Sequence, residues 1–223
     1  MHCLGGRVLT PELLDTLPPE EAEASLRDLV RINRQWGGHS TLRRLLADCV
    51  ARGYIEAGKP FSLLDVGAAS GDMGQCVSEE YAHARVTSLD YIPSHLALAG
   101  DRIAGDAFYL PVAPGSFDIV FCSLFLHHFT NAQVVELLRE FGRVARRAVL
   151  VIDLERHPIP YYFMRWSSPV LRWDPVTVHD GAISVEAGFR AEELKHLAEQ
   201  AGLRDVAVRR RWPAFRLPLS GVP

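Results

Sequence analysis

The chain of 223 residues carries a net charge of −3 with 48% hydrophobic and 23% charged residues, a balance that suits one soluble domain folded around a sizeable core. A pI near 6.3 disfavours a polyanionic partner, so nucleic acid is not expected. Gly5, Gly6, Pro11, Pro18 and Pro19 stand where a signal peptide needs an apolar core, no apolar run approaches the roughly 18–20 residues that span a bilayer, and Cys3, Cys49, Cys76 and Cys122 form no pair with metal-ligand spacing. The expectation is a cytoplasmic protein with reduced, mostly buried thiols and no metal.

Two amphipathic helices precede the first strand signal. Pro18-Pro-Glu-Glu21 opens the first, with Ala22, Leu26, Leu29 and Val30 on one face and an end at Gly37-Gly38. Ser40 is expected to cap the second, in which Leu42, Leu45, Leu46, Cys49 and Val50 recur at helical spacing. Leu63, Leu64 and Val66 then read as a buried strand, followed by a helix over 71–83. A second strand, 86–90, is followed by a short helix over 94–100 and a brief strand at 103–105. A fourth strand occupies 117–122, and Thr130-Asn131 caps a helix to about 145. A buried strand follows over 148–152, and a helix over 191–201 stops at Gly202. Residues 203–211 and 214–219, broken at Trp212-Pro213, look like an antiparallel pair. The expected fold is α/β: a doubly wound sheet, mostly parallel, closed by a C-terminal antiparallel hairpin.

The sharpest signal is Ser62-Leu-Leu-Asp-Val-Gly-Ala-Ala-Ser-Gly-Asp72, an apolar run that ends in an acid and turns through small residues into a helix. Gly67 and Gly71 let the backbone turn sharply and approach a ligand. A phosphate-cradling loop needs Gly-Lys-Ser/Thr where this chain has Gly71-Asp72. A dinucleotide fingerprint needs glycines at the first, third and sixth positions, and Gly67, Ala69 and Asp72 satisfy only the first. About 20 residues beyond the turn, Asp90 ends the second strand at the place where such folds bind ribose hydroxyls.

The Asp-Val-Gly-x-x-x-Gly-Asp pattern resembles motif I of the class I S-adenosylmethionine (SAM)-dependent methyltransferases. Tyr91 after Asp90, the Ala104-Gly-Asp-Ala107 element, and the stretch from Leu110 to Phe129 with its Leu-His-His-Phe ending extend the resemblance over about 85 residues, toward ubiquinone/menaquinone-biosynthesis and small-molecule enzymes. The resemblance implies a Rossmann-like fold with SAM as cofactor. It places Asp65, Gly67, Ala69, Gly71 and Asp72 around the methionine end, Asp90 on the ribose, Tyr91 on the adenine ring, Asp106 and Ala107 at the adenine amino group, and Ser123 near the methyl group. For Asp65 and Asp72 the alternative is helix-start electrostatics. Many members carry a glycine where this chain has Ala69, so the turn must tolerate a methyl group.

One domain over 1–223 is expected to divide into an N-terminal helical cap (1–58), a SAM-binding core (61–155), a lid insertion (156–188), and a last helix with its hairpin (189–223). Methyl transfer is an in-line displacement in which the protein mainly aligns the partners, and a hydroxyl acceptor benefits from a general base. His127, His128 and His179 are the catalytic candidates among four histidines that include His157, with His127 and His128 expected to line the pocket first and loop support as the alternative for either. Asp180 would orient His179 or bind a substrate hydroxyl, with a plain turn at Asp180-Gly181 as the alternative. Tyr161, Tyr162 and Trp166, with Phe163 and Trp173, suit a planar aromatic, polyketide or quinone-like acceptor. The competing roles for these rings are a small lid core or peripheral contact with a membrane surface. Trp36 and His39 lie between the cap helices, placed to close over the bound ligands, with ordinary packing as the alternative for Trp36. The expected activity is O-methylation of a small acceptor. C- or N-methylation and a SAM-binding regulator without catalysis stand as alternatives, and an NAD-dependent reductase is disfavoured by the glycine spacing.

Overall fold

A computed structural model describes residues 5–14, 16–96 and 100–223. Seven strands form one sheet in the order β3-β2-β1-β4-β5-β7-β6: β1 (Phe61–Val66), β2 (Ala84–Asp90), β3 (Asp101–Ala104), β4 (Phe117–Ser123), β5 (Ala145–Leu154), β6 (Arg204–Val208) and β7 (Arg216–Val222). The first five run parallel, and β7 lies antiparallel between β5 and β6. The C-terminal hairpin thus inserts its second strand next to β5.

The two-residue alternation of a strand distributes the core to both faces. Leu64 and Val66 of β1 and Val149 and Val151 of β5 pack toward helices α4 (Asn131–Val144) and α7 (Ala191–Gln200) through Leu137, Leu138, Phe141 and Leu194. Leu63, Phe121, Leu150 and Ile152 pack on the opposite face against α2 (Gly38–Ala51) and α3 (Asp72–Glu80) through Leu42, Leu46, Met73 and Val77. Burial on both faces is why these strands read as unbroken apolar runs. Thr130 and Gln133 close a capping box that starts α4 as its sequence indicates.

Several boundaries differ from expectation. Helix α2 starts at Gly38, with Gly37 in the left-handed region as its cap, and the Ser40 hydroxyl donates to the Gly37 carbonyl. Helix α3 ends at Glu80, and β5 extends through Asp153 to Leu154. The helix expected at 94–100 is a 3₁₀ turn at Pro93–His95, and its remainder reaches beyond the described residues, as does Cys3. Cys49, Cys76 and Cys122 are free and buried.

The insertion holds two helices, α5 (Pro158–Leu171) and α6 (Pro175–Ala187), which pack with α1 (Pro19–Gln35) over the carboxyl ends of the strands. Polar contacts fix this cap: Asp28 accepts from the Asp174 amide, Arg31 donates to the Leu171 carbonyl and covers the Trp173 ring, and Ser25 bonds Thr177. Among the described residues no helix is long and apolar enough to cross a membrane.

Candidate active site

A cavity of about 1020 Å³ lies between the strand ends and the cap. Its floor is the turn after β1. Gly67 (φ 66°) and Gly71 (φ 76°) occupy the left-handed region, and a Cβ on Gly67 would collide with the Phe125 ring. Ala69 shares that conformation at φ 44°, so the turn accommodates the methyl group by holding an alanine where glycine is the easier residue. The Ala69 amide donates to Asp90 Oδ2 at 2.9 Å and the Ile92 amide to Oδ1 at 2.9 Å, tying the β1 turn to the end of β2. Asp106 accepts from the Phe108 amide at 2.9 Å.

Asp65, Gly67, Ala69, Asp72, Asp90, Tyr91, Asp106, Ala107 and Ser123 all line this cavity, whereas Gly71 shapes the turn without lining it. Burial pushes the Asp65 carboxyl well above the ordinary carboxylate range, and the charges of Asp72 and Asp90 add to the effect. Asp65 Oδ2, Ser123 Oγ and Asn33 Oδ1 are buried without hydrogen-bond partners. Such a wall suits a ligand bearing an amine, a positive centre and hydroxyl donors, and it opposes a triphosphate. SAM, which carries an ammonium, a sulfonium, ribose hydroxyls and no phosphate, fits these residues.

The acceptor end is built from residues distant in sequence. Asp153, wholly buried at the end of β5, accepts from the Leu126 amide (2.9 Å) and the Leu154 amide (2.7 Å), and its Oδ1 lies 2.7 Å from His127 Nδ1. The other ring nitrogen of His127 lies 3.4 Å from Glu12 Oε1. Burial alone would lower the His127 pKa, but Asp153 and then Glu12 outweigh it and raise it to about 9. The His128 ring stacks on His127 with centroids 4.4 Å apart. Glu12, His127 and His128 bring ligand atoms within 4.8 Å of one another and are the one group among the described residues with the make-up to hold a metal ion.

Asp180 lines the cavity too, and besides the expected contact with His179 Nδ1 at 2.9 Å it has a second task. Its two carboxylate oxygens accept from the Leu13 and Leu14 amides, each at 3.0 Å, and thereby hold the segment that carries Glu12. The Ser184 hydroxyl donates to Glu12. His179 is exposed, bonds only to Asp180 among the contacts described, and does not line the cavity. His157 caps α5 and stacks on Phe215.

Trp36 reaches the cavity, packed edge-on against Phe163 at 4.6 Å. His39 does not; it is buried 3.0 Å from Asp72 Oδ2, its pKa raised to about 9 chiefly by that contact. Tyr161, Tyr162 and Trp166 also miss the cavity: Tyr162 and Trp166 stack on each other at 5.2 Å, and Trp166 is 70% exposed. Helix α5 instead presents Ile159, Pro160, Phe163 and Met164 inward. Trp173 is buried in the cap with its ring N–H donating to Ser167, the small lid core that composition left open. Glu12, Asn33, Asp153 and Arg216 are site residues that the sequence reading did not single out. Of these, only Asp153 carried a signal, an acid at the end of an apolar run.

Residues 64–152 match the family model described as the methyltransferase domain. The matched domain and the sheet order 3-2-1-4-5-7-6 are those of the class I SAM-dependent methyltransferases. It is 30% identical over 105 residues to the demethylmenaquinone methyltransferase of Thermotoga maritima, covering 44% of this chain and 45% of that protein. It is 26% identical over 174 residues to malonyl-[acyl-carrier protein] O-methyltransferase 1 of Coxiella burnetii, covering 66% and 60%. The chain therefore spans about half to three fifths of the length of these curated relatives. Among solved structures, a Nostoc punctiforme protein assigned as an O-methyltransferase superposes with a TM-score of 0.63 at 18% identity, over 98% of this chain and 64% of that one. Magnesium protoporphyrin IX methyltransferase of Synechocystis with bound SAM gives 0.56 at 14% identity, over 86% and 83%. At these identities the structural likeness concerns the fold.

Proposed function

We propose that this chain transfers a methyl group from SAM to an oxygen atom of a small, partly apolar acceptor. One observation carries the reading: a single cavity joins the acidic turns after β1 and β2 to an apolar chamber that ends at Glu12, His127 and His128. SAM, when bound, supplies a methyl group on a sulfonium sulfur, open to in-line attack. Asp90 would hold the ribose hydroxyls, Asp106 the adenine amino group, and Asp65 with Asn33 the methionine end. Leu26, Leu29, Trp36, Phe163 and Met164 exclude water and present flat apolar surface to the acceptor. Asp153 fixes the orientation of His127, His127 in turn holds Glu12, and His128, stacked on His127 and lining the cavity, takes the acceptor's proton.

The test is incubation with SAM carrying a deuterated methyl group and a panel of phenols, enols, amines and carboxylic acids, with products resolved by NMR. Label attached to oxygen is expected. Label on carbon or nitrogen would reassign the acceptor atom. The parallel substitution His128→Ala is expected to lower turnover by about 10²–10⁴-fold, the usual contribution of a positioned base, while leaving the affinity for S-adenosylhomocysteine (SAH) intact.

A further inference from the structure

Arg216, the first residue of β7, is 4% exposed, and its guanidinium makes no hydrogen bond or ion pair with any described residue. Two other buried or half-buried arginines near this end differ. Arg156 donates to both Glu193 oxygens and the Gly188 carbonyl, and Arg7 donates to Asn131 and to the carbonyls of His127, Phe129 and Ala187. A buried guanidinium without partners is costly, and here the Nε–H has left water without gaining an acceptor.

Its position says what it waits for. In the sheet register Arg216 stands opposite Leu154, at the carboxyl end of β5, and it lines the cavity on the side away from the β1 and β2 turns. The two acids that flank Leu154 are engaged elsewhere: Asp153 accepts from two amides and the His127 ring and acts on Arg216 only through its field, and Glu155 pairs with Arg210. The other charged groups at this end, Arg7, Glu12, His127, Asp153 and Asp180, all have hydrogen-bond or ion-pair partners, and Arg216 does not.

We infer that Arg216 is the recognition residue for a carboxylate on the acceptor, which the guanidinium fork binds by two parallel hydrogen bonds. The assignment rests on the methyltransferase reading and narrows its substrate to acidic molecules. A carboxylate is favoured over a phosphate because one cation set among Leu154, Trp212 and Phe215 balances a single negative charge, not two.

The experiment uses the whole chain saturated with SAH, and a library of aromatic and aliphatic carboxylic acids with their matched primary amides, read by thermal shift and calorimetry. Acids are expected to bind about tenfold or more tightly than their amides to the parent, Arg216→Met to lose that preference, and Arg216→Lys to retain part of it. In the absence of acids, Arg216→Met is expected to melt about 2–4 °C higher than the parent, because an unsatisfied buried charge is removed. The inference is overturned by equal binding of acids and amides to the parent, by an acid preference that survives in Arg216→Met, or by a lower melting temperature in that variant. SAH titration of the parent keeps the two readings apart. A chain that binds SAH without preferring acids loses only this inference, and a chain that fails to bind SAH loses the methyltransferase reading.

Discussion

His39 and Asp72 meet 3.0 Å apart beneath the cofactor end of the cavity, one from α2 and the other at the start of α3, and both side chains are nearly inaccessible to water. The pair turns an N-terminal cap residue into a support for the binding turn, since Asp72 also accepts from Asn33 and Ser70. His39 is raised to about 9, above the ordinary histidine value of 6.5. A group whose folded pKa lies above its unfolded one contributes stability that is complete below the unfolded value and is lost as pH rises through the folded value. The difference in melting temperature between the parent and His39→Gln is therefore expected to be largest near pH 6 and to vanish as the pH passes 9. A difference independent of pH would mean that the contact is packing alone.

Ala69 adopts a left-handed conformation that costs an L-residue about 1–2 kcal/mol. Glycine relieves that strain and gives back part of the gain in chain entropy. Ala69→Gly is thus expected to stabilise the protein by about 0.5–1 kcal/mol in chemical denaturation, with SAH affinity equal to or above that of the parent. A destabilised variant would mean that the Ala69 methyl group makes contacts worth more than the strain.

In the proposed function Asp90 has two duties, binding the ribose hydroxyls and holding the Ala69 and Ile92 amides. Asp90→Ala removes the ribose ligand and slackens the turn together, so the expected loss of SAH affinity corresponds to about 1.5–3 kcal/mol or more, roughly ten- to hundredfold. Calorimetry measures this directly. Unchanged affinity would show that Asp90 only organises the turn.

Asp180 holds the segment bearing Glu12 through two amide hydrogen bonds. Asp180→Ala should destabilise the protein by about 2–3 kcal/mol and expose residues 8–14 to protease, while SAH binding persists. His179→Ala, by contrast, is expected to change turnover little, because its ring lies outside the cavity. A large loss of turnover in His179→Ala would restore that residue to the catalytic set.

The difference between adjacent residues 179 and 180 illustrates what the sequence can carry. The cofactor side was legible because a strand, a turn and a helix start are contiguous, so that the spacing from Asp65 to Asp72 and on to Asp90, with the motif resemblance that adds Asp106, marks one wall of the cavity. The acceptor side was not, because Glu12, Asp153 and Arg216 converge from three separate elements, and only Asp153, an acid at the end of an apolar run, carried a signal. Composition marked the insertion as aromatic but held no information on direction: α5 turns Phe163 and Met164 inward and leaves Trp166 in solvent. His39 has the same lesson. It lies in the predicted neighbourhood, yet its ring is spent on Asp72 and never reaches the ligand space.

The central claim is that the acidic turns of β1 and β2 form a SAM site. Titration calorimetry of the purified chain with SAM, SAH and NADH tests it most directly. Micromolar binding of SAM and SAH that weakens in Asp90→Ala is expected, with no binding of NADH. Tight NADH binding without SAM or SAH binding would contradict it.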